Sequence, residues 1–213
     1  LGHDDERGWK GPLDYTNYLV LSCGEVGSKI FMIFWNQTKN HISALSRPSR
    51  SNGKRRKNMS VYAQNLQNLG FTLPEPALPI ANYVPSTRSG NIVYISGQVS
   101  VDAGGGIKGR VGKEVDLDQA IMAARLCGLN LMTQLNQACG SLDMVVRVLK
   151  LNVFVQCTDD FIEIPKVANG CSDLMVGVFG EIGKHARSAV GVYCLPLGFS
   201  VEIDGHFQVL DRR

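Results

Sequence analysis

The stretch GKHARSAVGVYCLPLGFSVEI, from Gly183 to Ile203, decides the fold and frames the chemistry. Arg187 leads into Ser188, Ala189, Val190 and Val192, a β-type run; Leu195-Pro196-Leu197-Gly198 supplies turn residues, and a second run opens at Ser200. Through Val209, Val201, Ile203 and Phe207 alternate with Glu202, Asp204 and Gln208, so one face is apolar and Glu202 points away from the core. The pattern sets one arginine and one carboxylate on neighbouring extended segments. A guanidinium grips a planar carboxylate through two parallel hydrogen bonds, and a nearby carboxylate can hold or activate water. The pair therefore suits hydrolysis of a small acid. The same spacing also describes a solvated cross-strand ion pair, worth less than ~1 kcal/mol.

Upstream, residues 91–101 read as a strand carrying Ile92, Val93, Tyr94, Ile95 and Val99, and residues 107–111 as a second, short one. Residues 65–79 read as a lead-in to the first strand. Leu117, Ile121, Ala124, Gly128, Leu131, Leu135 and Ala138 recur at steps of three and four, predicting a helix that Asp116 caps and Gly140 ends, with Gly128 set close against a sheet. Residues 145–156 predict a long central strand with Leu149, Leu151, Val153 and Val155 on one face. Pro165 opens a second helix whose stripe of Val167, Cys171, Leu174, Val178 and Ile182 ends at Gly183. The order strand, strand, helix, strand, helix, strand, strand predicts an α+β fold, a mixed sheet with two helices packed on one face. The other face, carrying Val and Phe, requires a second copy to cover it, so the pattern predicts an oligomer.

The charges divide unevenly along the 213 residues. Residues 1–58 hold ten Lys and Arg against five acids, whereas residues 59–213 hold twelve against fourteen. The domain thus carries no basic footprint for nucleic acid. Residues 1–58 read as an N-terminal extension, disordered or non-native, ahead of a domain at 59–213 for which Met59 is an initiator candidate. Residues 41–58 are rich in Ser, Arg and Lys without an acid, which fits the tail of a transit peptide or a nuclear signal, but Asp4, Asp5 and Glu6 oppose the transit reading. The apolar runs at 18–23 and 30–35 fall well short of the roughly 20 residues that span a bilayer. Asn36-Gln37-Thr38 matches a glycosylation sequon with no other sign of secretion.

Six cysteines, Cys23, Cys127, Cys139, Cys157, Cys171 and Cys194, show no CxxC pair or zinc spacing and read as reduced thiols of a cytosolic or organellar compartment. Cys127 and Cys171, among apolar helix neighbours, read as core residues. Gly104-x-Gly106-x-x-Gly109 matches a dinucleotide fingerprint in letters only, since no helix opens at its last glycine. Ser96 and His185 read as structural, the first satisfying a local backbone group and the second favouring a helix dipole; no Ser-His-Asp triad is implied.

Arg187-Ser188-Ala189-Val190, Leu195-Pro196 and Val201-Glu202-Ile203, with Ala81-Asn82-Tyr83 and Ile95-Ser96-Gly97-Gln98 in order upstream, resemble the Rid family, also called YjgF or endoribonuclease L-PSP. The resemblance covers about residues 69–209. It implies a chorismate-mutase-like homotrimer with clefts between subunits and hydrolysis of enamine or imine acids, of the 2-aminoacrylate and 2-iminopropanoate type, to 2-oxo acids and ammonia. No cofactor and no metal are implied. Arg187 would clamp the substrate carboxylate, the backbone carbonyl near Ala189 would hold the imine nitrogen, Glu202 would position water, and Tyr83 would close the pocket and aid proton transfer. Ser96 and Asn169 would complete the binding set. The sequence departs from the deaminase pattern at Ala81-Asn82, where Gly-Pro is expected, at Gly191, Tyr193 and Gly198, and at Ser172 and Leu174, where aromatic residues are expected. Two alternatives stand beside the imine deaminase, a non-catalytic small-ligand-binding or regulatory member of the same fold and an endoribonuclease.

Overall fold

Alternating strands and striped helices assemble, in a computed structural model that describes residues 60–76 and 82–211, into one sheet backed by helices. The expectations for residues 1–58, Met59 and Ala81 lie outside the described residues. In chain order the elements are α1 (Val61–Asn68), β1 (Ser86–Ser89), β2 (Ile92–Val99), α2 (Leu117–Cys139), β3 (Val145–Gln156), α3 (Ile164–Phe179), β4 (Ala186–Val192) and β5 (Val201–Val209). The sheet runs β1-β2-β5-β3-β4. Only the β3–β4 pair is parallel, so the sheet is mixed, as expected.

The ends of α2 are those read from the sequence. Asp116 accepts from the Gln119 backbone N–H at 2.8 Å while the Gln119 side chain accepts from the Asp116 N–H at 3.0 Å, a reciprocal capping box. Gly140 stops the helix at φ 81°, a conformation that costs other residues dearly. α2 lies over β2 and β5, and α3 over β3 and β4. Val93, Ile95, Leu151, Val153, Val155, Val201, Ile203 and Phe207 fill the layer between, each nearly or fully buried. Such burial contributes roughly 1.5–3 kcal/mol per large side chain.

Several expectations are corrected. The short strand at 107–111 is not part of the sheet; it makes only isolated bridges, Lys108 to Phe199 and Val111 to Val115 and Cys157. Its place in the order is taken by β1, whose Ser-Thr-Arg-Ser composition carries no apolar alternation. Residues 61–68, which overlap the presumed lead-in at 65–68, form a third helix: Ser60 caps it, Leu66 is buried and Tyr62 meets Phe179 edge-on at 4.9 Å. β5, not β3, is central. In β3 the register shifts between Val148 and Lys150, so Val148 replaces Leu149 on the buried face. Gly128 packs against α3 rather than the sheet, since a Cβ there would stand 3.0 Å from Cys171 Sγ and 3.1 Å from Leu174 Cδ2.

The uncovered face of the sheet is more polar than expected. Lys150 donates to Ser188 at 2.7 Å, Asn152 to Asp204 at 2.7 Å, and Tyr94 meets His206 edge-on. Phe154 on β3 and Val190 and Val192 on β4 are its larger apolar members on those strands, Phe154 and Val190 opposite each other in register. Cys127 and Cys171 are fully buried core thiols; burial raises both pKa values, that of Cys171 to about 12. They are inert at neutral pH.

Candidate functional site

Arg187 opposes Leu151 in β3, which opposes Gly205 in β5, which opposes Ile95 in β2. Glu202 belongs to another row, opposing Val99 on one side and Phe154 on the other. β5 and β3 are adjacent, but β3 stands between β5 and β4, so Arg187 and Glu202 are not on neighbouring strands. Their faces also differ. The row of Arg187 contains the buried Leu151 and Ile95 under the helices, whereas Glu202 shares the open side with Phe154. The cross-strand ion pair is thus excluded by topology.

Arg187 turns toward α3. Its Nη1 donates to Asn169 Oδ1 at 2.9 Å and to Ser172 Oγ at 3.0 Å, and its Nη2 to the Pro165 carbonyl at 3.4 Å. All three acceptors are neutral. Among the described residues no carboxylate pairs with this guanidinium. Asn169 sits within α3, not at its cap, which is Glu163. Ala189 lies two residues beyond Arg187 on the same face of the edge strand.

Ser172 and His185 join this group. His185 Nδ1 lies 2.6 Å from the Gly183 carbonyl, which can only accept, so Nδ1 carries the proton. Nε2 then accepts from Ser172 Oγ at 3.1 Å. Burial, with the Arg187 charge adding, holds the His185 pKa below the usual histidine range, while the Gly183 bond partly opposes this. The imidazole is neutral at pH 7. His185 thus bonds the last carbonyl of the short helical turn at 180–183, a helix-end role as read, and its Nε2 adds a link to Ser172 that the reading did not include. The sequence did carry a signal: Asn169 and Ser172 are three apart on a helix, His185 and Arg187 two apart in extended chain, and each spacing puts its pair on one face.

Glu202 belongs to a second group. β2 breaks register against β5 between Ile95 and Gln98, and Gly97 sits in that break. A Cβ on Gly97 would fall 2.0 Å from Glu202 Oε1, so the carboxylate lies over bare backbone. Half-burial raises the Glu202 pKa above the ordinary 4.5, and the Asp204 charge raises it further. Ser96 Oγ donates to the Val84 carbonyl at 2.8 Å and its N–H to the Pro85 carbonyl at 2.9 Å, which ties the Tyr83 loop to β2. Tyr83 is 54% exposed. Within one chain the candidates thus form two groups, Arg187-Asn169-Ala189 and Glu202-Ser96-Tyr83. Strand order puts β3 between Glu202 on β5 and Arg187 on β4, roughly 10 Å of sheet, and β5 and β3 between Ser96 on β2 and Arg187, roughly 14 Å.

A cleft of about 550 Å³ opens beside the end of β4, lined by Arg110, Cys157, Phe161, Ile164, Gly191 and Tyr193 among others. It begins at Ile164, next to the Pro165 carbonyl that Arg187 contacts. Arg110 stacks over the Tyr193 ring at 5.2 Å and donates to its carbonyl. Among the described residues, no cluster of three or more His, Cys, Asp or Glu could hold a metal ion, and no helix is long and apolar enough to cross a membrane.

The chain is similar to several known proteins. Protein TCP17 of Trypanosoma cruzi is 48% identical over 144 residues, 67% of this chain and 90% of that protein. Protein mmf1, mitochondrial, of Schizosaccharomyces pombe is 32% identical over 128 residues, 57% of this chain and 65% of its own length. The crystal structure of Atu1372 from Agrobacterium tumefaciens, a protein of unknown function, superposes with a TM-score of 0.67 at 45% identity, covering 70% of this chain and 93% of that one. Residues 63–203 match the family described as "YjgF/chorismate mutase-like, putative endoribonuclease", and the chain belongs to that family, the Rid family.

Proposed function

We propose that the protein hydrolyses small enamine or imine acids of the 2-aminoacrylate type to 2-oxo acids and ammonia. The observation that carries this reading is the Arg187 guanidinium, held by three neutral acceptors with no carboxylate to neutralise it among the described residues. An arginine so held is a receptor for an anion. The substrate carboxylate docks there, and the carbonyl near Ala189 takes the imine N–H. Glu202, half-buried and more basic than an ordinary carboxylate, accepts a proton from the water that attacks the imine carbon. The proton passes to nitrogen, the carbinolamine collapses, C=O forms and ammonia leaves. Tyr83 closes the pocket and shares in the proton transfer.

The two groups meet only between subunits in this reading, Arg187 of one copy with Tyr83, Ser96 and Glu202 of the next, which requires an oligomer; the family resemblance makes it a homotrimer. A compartment that keeps thiols reduced fits the buried Cys127 and Cys171, whether cytosol or mitochondrial matrix. The departures at Ser172 and Leu174 favour a second reading, a binding or regulatory member of the fold that takes 2-oxo acids without turnover. 2-Aminoacrylate generated in situ separates the two. Faster loss of imine with the purified chain than with R187A supports the deaminase. Equal rates with retained 2-oxo acid binding leave the binding protein, and metal-free RNA cleavage that R187A abolishes would replace both.

A further inference from the structure

The bonds around Arg187 spend particular donors. A guanidinium has five N–H groups. Nη1 uses both of its own on Asn169 and Ser172, and Nη2 uses one on Pro165, which leaves Nε–H and the second Nη2–H. Ser172 can accept from Nη1 in a fixed direction only because its own hydroxyl proton is committed to His185 Nε2. That commitment in turn depends on the Gly183 carbonyl, which fixes the imidazole tautomer. The chain Arg187 to Ser172 to His185 to Gly183 is therefore one directed line of donors, anchored on backbone.

Resting on the carboxylate-clamp reading of Arg187, we propose that Ser172 and His185 are positioning residues that lock the guanidinium so that it offers a single outward fork, Nε–H with one Nη2–H, to one carboxylate of a 2-oxo or 2-imino acid. Without Ser172 the guanidinium keeps Asn169 at 2.9 Å and the longer 3.4 Å bond to the Pro165 carbonyl, a looser hold that the second acceptor on Nη1 tightens. Locking lowers the entropic cost of docking a rigid planar anion and disfavours ligands that need the end-on Nη1/Nη2 edge.

Two measurements separate this proposal from the reading beneath it. The first uses the free protein, with no ligand: arginine side-chain nitrogen NMR of wild type, S172A, H185N and H185Q, each checked for an unchanged trimer or monomer profile and a cooperative melt. Resolved Arg187 Nη resonances in wild type that merge in S172A and H185N support the lock. H185Q, whose side-chain oxygen reaches the Nε2 position, restores them, while asparagine keeps only the bond to Gly183. Identical spectra in wild type, S172A and H185N overturn the proposal whatever the protein binds.

The second titrates pyruvate. S172A and H185N weaken Kd roughly tenfold, the effect expected for one hydrogen bond to a charged group, and raise KM for the imino acid similarly, with kcat within about threefold. Pyruvate that fails to bind wild type overturns the clamp reading, and the spectra still decide the lock. Unchanged Kd in S172A alongside tight wild-type binding overturns the lock.

Discussion

The Arg187 group and the Glu202 group differ in how they are held. Arg187 is fixed by side chains, a network spanning α3, the segment before β4 and β4 itself, with backbone carbonyls at its two ends. Glu202 is fixed by the absence of one, since its carboxylate lies where any side chain at residue 97 would stand. The first arrangement resists displacement and has parts that can be removed singly. The second depends on vacant space and fails by addition. In the proposed reading the contrast also separates their tasks, a rigid anion receptor on one side and a carboxylate whose proton affinity is set by its surroundings on the other.

Removing each anchor tests this contrast, with R187A the largest effect. It should abolish detectable acceleration of imine loss, roughly 10³-fold or more, with the melting temperature little changed because its partners are rim groups. Retained turnover in a folded R187A protein would break the comparison at its first term. E202Q should lower kcat roughly 10²-fold with KM nearly unchanged, because a general base acts on water rather than on the bound acid. A rise in KM alone would make Glu202 a binding group. G97A should lower kcat roughly tenfold with little change in stability, since the displaced atoms are the far end of a flexible side chain. A large loss of stability with normal kcat would mean that the vacancy serves packing instead.

The smallest effect is in the pH profile. A raised Glu202 pKa means that the active carboxylate form appears only above the ordinary 4.5, so kcat/KM should rise with pH along a limb centred above that value. D204N removes the charge that contributes to the shift and should move the limb toward lower pH. A limb that stays in place in D204N would assign it to another group.

Much of this organisation is legible in the sequence where burial is one-sided. The stripe of α2 with Asp116 and Gly140 at its ends, and the alternation of β5, are local patterns repeated over many residues. What is illegible depends on partners far away in the chain. β1 has no apolar pattern because it is an exposed edge, and it is a strand only through its pairing with β2. The order that inserts β3 between β4 and β5 is likewise invisible to a reading that treats consecutive strands as neighbours, which is why Arg187 and Glu202 seemed adjacent. Arg187, Glu202 and Asn169 were candidates from the family resemblance, whereas the spacings that put Ser172 beside Asn169 and His185 beside Arg187 join two faces only once α3 is placed against β4. Only the turn of α3 against β4 makes them a network.

Gly97 and Glu202 also bind the protein's history to its geometry. A lineage that acquired alanine at 97 would have to move or replace the acid at 202, and one that shortened 202 to aspartate would relieve the pressure for glycine at 97. The two positions are coupled, so an engineer who wants a side chain at 97 gains room by shortening 202 in the same variant.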